Sequence, residues 1–236
     1  MALGYAPTRY PNGVNNGEPD TFSGTTQQPD PTMFHTYFND FDTYVAGDWA
    51  VEETNGAATQ ALTAGNGGLL LITNTNGASD LVAMQKTPAD FAFTSNKRAW
   101  FSCRFQVSEV TNVVIQFGIV VVDATDPTDA TDGIYFLKPS GAATINAIVR
   151  KDATTGSNTY TNLGSLVAAT NTTLSWYYNG AGRVFLYQDG NPVGNLDASS
   201  TYFPDATNLV PTMTIKNSTG VARTMTVDFI SAIFER

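Results

Sequence analysis

The densest chemistry in this sequence is a run of evenly spaced acids. DATDPTDATDG at 123–133 places Asp123, Asp126, Asp129 and Asp132 at every third residue. Carboxylate oxygens suit calcium, and loops that gather several aspartates often bind it. The spacing is not that of an EF-hand loop, and short Asp side chains also cap backbone N–H groups in turns. The run therefore reads either as a calcium loop or as a solvated turn. No cofactor is expected, and calcium here is the one alternative kept.

Other reactive types are sparse. Glu52, Glu53 and Glu109 have no acid at the spacing that would set two carboxylates side by side on one strand face. His35 is the sole histidine, so no His-based metal cluster can form, and it is expected at a surface or interface. Cys103 is the sole cysteine; it alternates with Phe101, Phe105 and Val107, the pattern of a small buried side chain. Trp49, Trp100, Trp176, Tyr177 and Tyr178 could build a sugar-stacking platform. Large rings are mostly buried, but Trp176, Tyr177 and Tyr178 are consecutive and must alternate between faces, so at least one points outward or lies under a loop.

The elements that position these residues are strands. WAVEE (49–53), GLLLIT (68–73), LVAMQK (81–86), RAWFSCRFQVS (98–108), NVVIQFGIVVVD (112–123), GIYFLK (133–138), ATINAIVRK (143–151), NTYTNL (158–163), TTLSWYYN (172–179), RVFLYQ (183–188), PTMTIKN (211–217) and TMTVDFISAIFE (224–235) are rich in Val, Ile, Thr, Phe and Tyr. Several alternate at period two. Asn55-Gly56, Asn66-Gly67, Asn76-Gly77, Asp132-Gly133, Asn179-Gly180 and Asp189-Gly190 supply hairpin turns that need positive φ. No segment sustains an amphipathic helix. The fold class is all-β, an antiparallel sandwich or barrel by spacing and turn chemistry, with the sandwich favoured by the resemblance described below.

Residues 1–37 read as an extended N-terminal arm, and 38–236 as the sandwich domain. Pro7, Pro11, Pro19, Pro29 and Pro31 interrupt the arm, yet Leu3, Tyr5, Tyr10, Val14, Phe22, Met33 and Phe34 punctuate it with apolar groups. Such residues in an extended segment suit docking into a groove, and about 33 residues can reach on the order of 100 Å. The net charge of −9 provides no basic footprint, so nucleic acid and anionic membrane surfaces are not expected as partners. Charged residues are 14% of the chain, well under the usual quarter. The first residues lack the basic and apolar segments of a signal peptide, and VVIQFGIVVV is too short to span a bilayer, so cytoplasmic synthesis is expected.

One stretch carries a resemblance. LSWYYNGAG (174–182), RVFLYQDGNPVG (183–194) and the final MTVDFISAIFER are similar to the second half of concanavalin A-like jelly-roll domains of the laminin-G and laminarinase-like superfamily, through Trp176, Gly182, Val184, Leu186, Tyr187, Asp189, Gly190 and Val193, then Val227, Asp228, Phe229 and Ile230. The resemblance implies that FNDFDTYVAGDWAVEE forms a first strand pairing with the last. Laminarinase-like enzymes carry an E-x-D-x-x-E strand, whose carboxylates lie roughly 5 Å apart in retaining hydrolysis. That triplet is absent here, so no enzyme is expected.

An arm, a neutral-polar surface and a jelly roll together resemble bacteriophage virion proteins of the capsid decoration (cement) or head-fibre type. That likeness implies a protein of the capsid surface that reinforces the shell, with the major capsid protein as partner, trimeric assembly, and Leu3, Tyr5, Tyr10, Phe22 and Phe34 as anchors. The alternative is a carbohydrate-binding module of a tail fibre or spike that recognises host glycan.

Overall fold

The computed structural model describes residues 32–65, 67–152, 156–199, 201–206 and 208–236. Fifteen strands run through them: β1 (Phe34–Asn39), β2 (Trp49–Glu53), β3 (Thr59–Leu62), β4 (Leu70–Thr73), β5 (Leu81–Lys86), β6 (Ala99–Val107), β7 (Val113–Val121), β8 (Gly133–Lys138), β9 (Thr144–Lys151), β10 (Gly156–Ser165), β11 (Thr172–Tyr178), β12 (Arg183–Gln188), β13 (Asn191–Asp197), β14 (Leu209–Asn217) and β15 (Thr224–Glu235). They build two antiparallel sheets. One runs β13-β12-β11-β6-β15-β4-β3, with β1 also on β15, and the other β10-β9-β8-β7-β14-β5-β2. Together they form a concanavalin A-like jelly-roll sandwich. Among the described residues no helix is long and apolar enough to cross a membrane.

Period-two alternation explains the layering. Phe101, Cys103, Phe105 and Val107 of β6 point into the sandwich, as do Leu174, Trp176 and Tyr178 of β11 and Val184 and Leu186 of β12. Opposite them stand Ile115, Phe117, Ile134, Phe136, Met213 and Ile215 of the second sheet, and Phe105 stacks on Phe117 at 4.3 Å between ring centroids. This buried layer is the chief stabilising feature, because each such side chain contributes roughly 1.5–3 kcal/mol when removed from water. Asp189 and Gly190 both have positive φ, so the β12–β13 hairpin closes on a two-residue turn.

The arm boundary expected at residue 38 moves. Strand β1 begins at Phe34 and pairs with β15 from Phe34↔Glu235 to Asn39↔Ile230, so residues 34–37 belong to the sandwich. The first strand does pair with the last, but four residues earlier than the domain start read from sequence, and WAVEE pairs with β5 in the other sheet. Strand β15 is long enough to carry β4 on its first half and β1 on its second, along the same side.

Candidate functional site

The two outer sheet faces differ sharply. On the seven-stranded sheet, Gln85, Gln116, Thr212, Thr214 and Tyr135 face outward in register yet are 0–1% exposed. The loop between β7 and β8 covers them. Its single 3-10 turn, Pro127–Asp129, lies over the sheet, and Pro127 O accepts a 2.6 Å hydrogen bond from Gln116 Nε2. Ala130 packs with Val120, Tyr135 and Ile148 in a second, smaller apolar cluster. Burial pushes the Tyr135 hydroxyl up to about 12, with nearby Asp129 adding to the effect and Arg150 opposing it. Gly118 makes this packing possible, since a Cβ there would lie 2.4 Å from Tyr135 Cβ.

The four evenly spaced aspartates do not converge on one point. Asp123 caps the N–H groups of Thr125 and Asp126. Asp126 caps Thr128 and pairs with Lys216 Nζ at 2.5 Å. Asp129 pairs with Arg150 at 2.6 Å. These three act as loop fasteners. Asp132 alone turns elsewhere: its carboxylate gathers with those of Asp152 and Asp205, the nearest oxygens of all three lying within 4.8 Å of one another. Burial, reinforced by the charges of Asp152 and Asp205, raises its pKa against the pull of backbone N–H groups of those two residues.

The eight-stranded sheet presents a different outer face. Trp100 (β6), Tyr177 (β11) and Phe185 (β12) are register neighbours on three adjacent strands, all half-buried. Trp100 stacks on Tyr177 at 5.0 Å and 22°, and Tyr177 on Phe185 at 6.0 Å and 21°. Phe34 meets Trp100 edge-on at 5.8 Å, with the Arg98 guanidinium 5.4 Å from the Trp100 ring. Two residues along, the next row is Phe38, Ser231, Ser102, Ser175 and Tyr187, again register neighbours. Ser102 and Ser175 hydroxyls are 2.8 Å apart. Beyond them, a register shift in β15 lets Asp228 reach Arg104, at 3.0 Å. An aromatic row thus runs beside a hydroxyl row across the strands, bordered by the Arg98–Glu235 pair on one side and the Arg104–Asp228 pair on the other. Neighbouring strands lie about 4.8 Å apart, so four hydroxyls in file span roughly 14 Å.

The residues singled out from the sequence are scattered unevenly over this geometry. Of the five aromatic candidates, Trp49, Trp176 and Tyr178 are core, while Trp100 and Tyr177 face out. Phe185 and Tyr187 complete the outer face without having stood out in the sequence, although alternation with Val184 and Leu186 in RVFLYQ signals that they point outward. Cys103 is fully buried, and burial holds its thiol pKa well above the usual range. His35 sits in β1 with its ring 4.6 Å from Phe91 and its Nε2 3.4 Å from Asp90. Among the docking anchors, Leu3, Tyr5, Tyr10 and Phe22 lie outside the described residues; Phe34 is the aromatic against Trp100.

No protein-family model matches this chain, and no curated protein matches it. Solved structures do. The endo-1,3-beta-glucanase of Streptomyces sioyaensis superposes with TM-score 0.62 at 12% identity, over 89% of this chain and 99% of that one. Peanut lectin gives 0.59 at 11%, over 85% and 97%. The endo-beta-1,4-glucuronan lyase of Trichoderma reesei gives 0.56 at 12%, over 83% and 94%. At these identities the likeness establishes a shared fold. It also overturns one expectation: two of these neighbours are enzymes on the same sandwich, so the missing E-x-D-x-x-E strand does not exclude catalysis. None of the three is a virion protein, and they lend the expected capsid role no support.

Proposed function

We propose that this domain binds glycan across the outer face of its eight-stranded sheet. The observation that carries the reading is the paired rows: Trp100, Tyr177 and Phe185 beside Ser231, Ser102, Ser175 and Tyr187. A sugar ring presents apolar C–H patches and a rim of hydroxyls. The aromatic row offers apolar surface to the first, and the half-buried hydroxyls of Ser231 and Ser102 offer donors and acceptors to the second, with Ser175 only 7% exposed behind Ser102. The Arg104–Asp228 pair can accept and donate at one end. An extended polysaccharide lying across the strands would meet these groups repeatedly. The carbohydrate-directed names of the structural neighbours support the same class of ligand.

The test is affinity electrophoresis and calorimetry against a panel of soluble polysaccharides, with the same samples assayed for newly formed chain ends to register cleavage. Wild-type protein is expected to be retarded by at least one polysaccharide. Trp100→Ala and Tyr177→Ser should each weaken that affinity about tenfold, the equivalent of roughly 1.4 kcal/mol, while their unfolding remains cooperative. Absence of retardation across the panel, or undiminished binding by both variants, would refute the proposal. So would a concentration-dependent dimer that both substitutions dissolve, since the face would then serve protein contact.

A further inference from the structure

We infer that Asp132, Asp152 and Asp205 form a binding site for a hard divalent cation, calcium by its chemistry, where three loops meet at one end of the seven-stranded sheet. Asp132 closes the β7–β8 loop, Asp152 stands at the end of β9, and Asp205 lies in the segment between β13 and β14. Their carboxylates come within 4.8 Å of one another although the residues are 20 to 73 positions apart in sequence. Asp152 and Asp205 are exposed, so the grouping by itself does not name a ligand.

A second observation points to a ligand. Asp132 is only 7% exposed, and its Oδ1 is buried without a hydrogen-bond partner. A buried carboxylate oxygen without a partner costs free energy unless a cation or donor satisfies it. The only cation seen at the cluster among the described residues is Lys151, whose Nζ is 2.6 Å from the exposed Asp205. One ammonium against three carboxylates leaves a net charge of −2, which a divalent ion neutralises. Three carboxylates supply three to six of the oxygens that calcium requires, with water and backbone carbonyls completing the shell. A bound ion would tie the loop that covers the seven-stranded sheet to the two neighbouring loops. The inference is independent of the glycan reading.

Calorimetric titration of the full chain with calcium chloride, paired with thermal unfolding in calcium and in EDTA, tests it without any glycan. Wild type is expected to bind about one calcium per chain, with Kd on the order of 0.1–1 mM, and to melt several degrees higher in about 10 mM calcium than in EDTA. Asp205→Asn, an exposed position that should not disturb folding, is expected to weaken binding at least about tenfold. Asp132→Asn should lose the calcium shift while remaining at least as stable as wild type in EDTA, because it removes a buried charge. No heat and no melting shift for wild type up to about 10 mM would overturn the inference. So would a wild-type response in both variants, or an equal shift with magnesium, which would indicate a general salt effect.

Discussion

Lys138 is inward-facing at the end of β8, only 1% exposed, with Phe105, Ile115, Phe117, Phe136, Ile145, Leu166 and Leu174 around it and no room for a water molecule. Its Nζ donates to Val113 O. Desolvation lowers its pKa from 10.5 to about 8, with Glu109 opposing the change. The folded chain thus releases this proton more readily than the unfolded chain, and between those two pH values the unfolded state binds more protons. Stability must therefore rise with pH across that window and fall again as pH drops through about 8. The full gap corresponds to about 3 kcal/mol, of which the interval between about pH 7.5 and about pH 10 samples about 2. Lys138→Met keeps the side chain's length and removes its charge. Urea unfolding of both proteins at about pH 7.5 and about pH 10 isolates the effect, because every other group, including Tyr135 with its pKa near 12, is shared. Wild type is expected to gain about 2 kcal/mol relative to the variant between the two pH values. Parallel pH profiles would refute the claim that Lys138 is charged in a desolvated site at neutral pH.

Three further outcomes follow from the packing. Gly118→Ala places a Cβ 2.4 Å from Tyr135 Cβ and 2.5 Å from Ile134 O, so melting should fall by several degrees, consistent with overpacking costs of about 1–3 kcal/mol. Gln116→Leu strands Pro127 O and the Thr214 hydroxyl without their partner; a loss of about 2 kcal/mol is expected by urea unfolding, and limited proteolysis should cut more readily within 122–132. Cys103 should resist a thiol reagent in native buffer and react fully in guanidinium, because its thiol is enclosed and its pKa is raised by burial.

What was legible in the sequence follows the range of the interactions involved. Strands β2, β5, β8, β12 and β15 match the segments read from the sequence residue for residue, since alternation and turn chemistry are local. Alternation required Trp176, Tyr177 and Tyr178 to divide between faces, and the fold sends Trp176 and Tyr178 inward and Tyr177 outward. Strand β1 was displaced because its pairing depends on β15, two hundred residues away, rather than on its own pattern. Strand β3, TQAL, carries little β signal and exists because β4 offers it an edge. Of the two readings of the acid run, the capping turn describes Asp123 and Asp126, which accept from backbone N–H groups within the loop. What the spacing did not carry is the long-range part: the loop curls over the sheet, so Asp126 meets Lys216, Asp129 meets Arg150, and Asp132 meets acids from two other loops.

The covered face also bears on where recognition can occur. A sandwich has two outer sheet faces, and each must be wetted, covered or used. Here the β7–β8 loop covers the central strands of one, with Gln116, Gln85 and Tyr135 beneath it at 0–1% exposure. Any ligand for that face would first have to lift a segment fastened by Gln116, Lys216 and Arg150, at the cost of several hydrogen bonds and two ion pairs. The other face carries Trp100, Tyr177 and Phe185 half in water with no such cover among the described residues. Aromatic surface held in a stacked row is already ordered, so a ligand docking there loses little to side-chain immobilisation. That asymmetry makes the tryptophan face, rather than the aspartate loop, the first surface on which to look for sugar, and it separates the two experiments: calcium should change the stability of the loops, and Trp100 should change the affinity for polysaccharide.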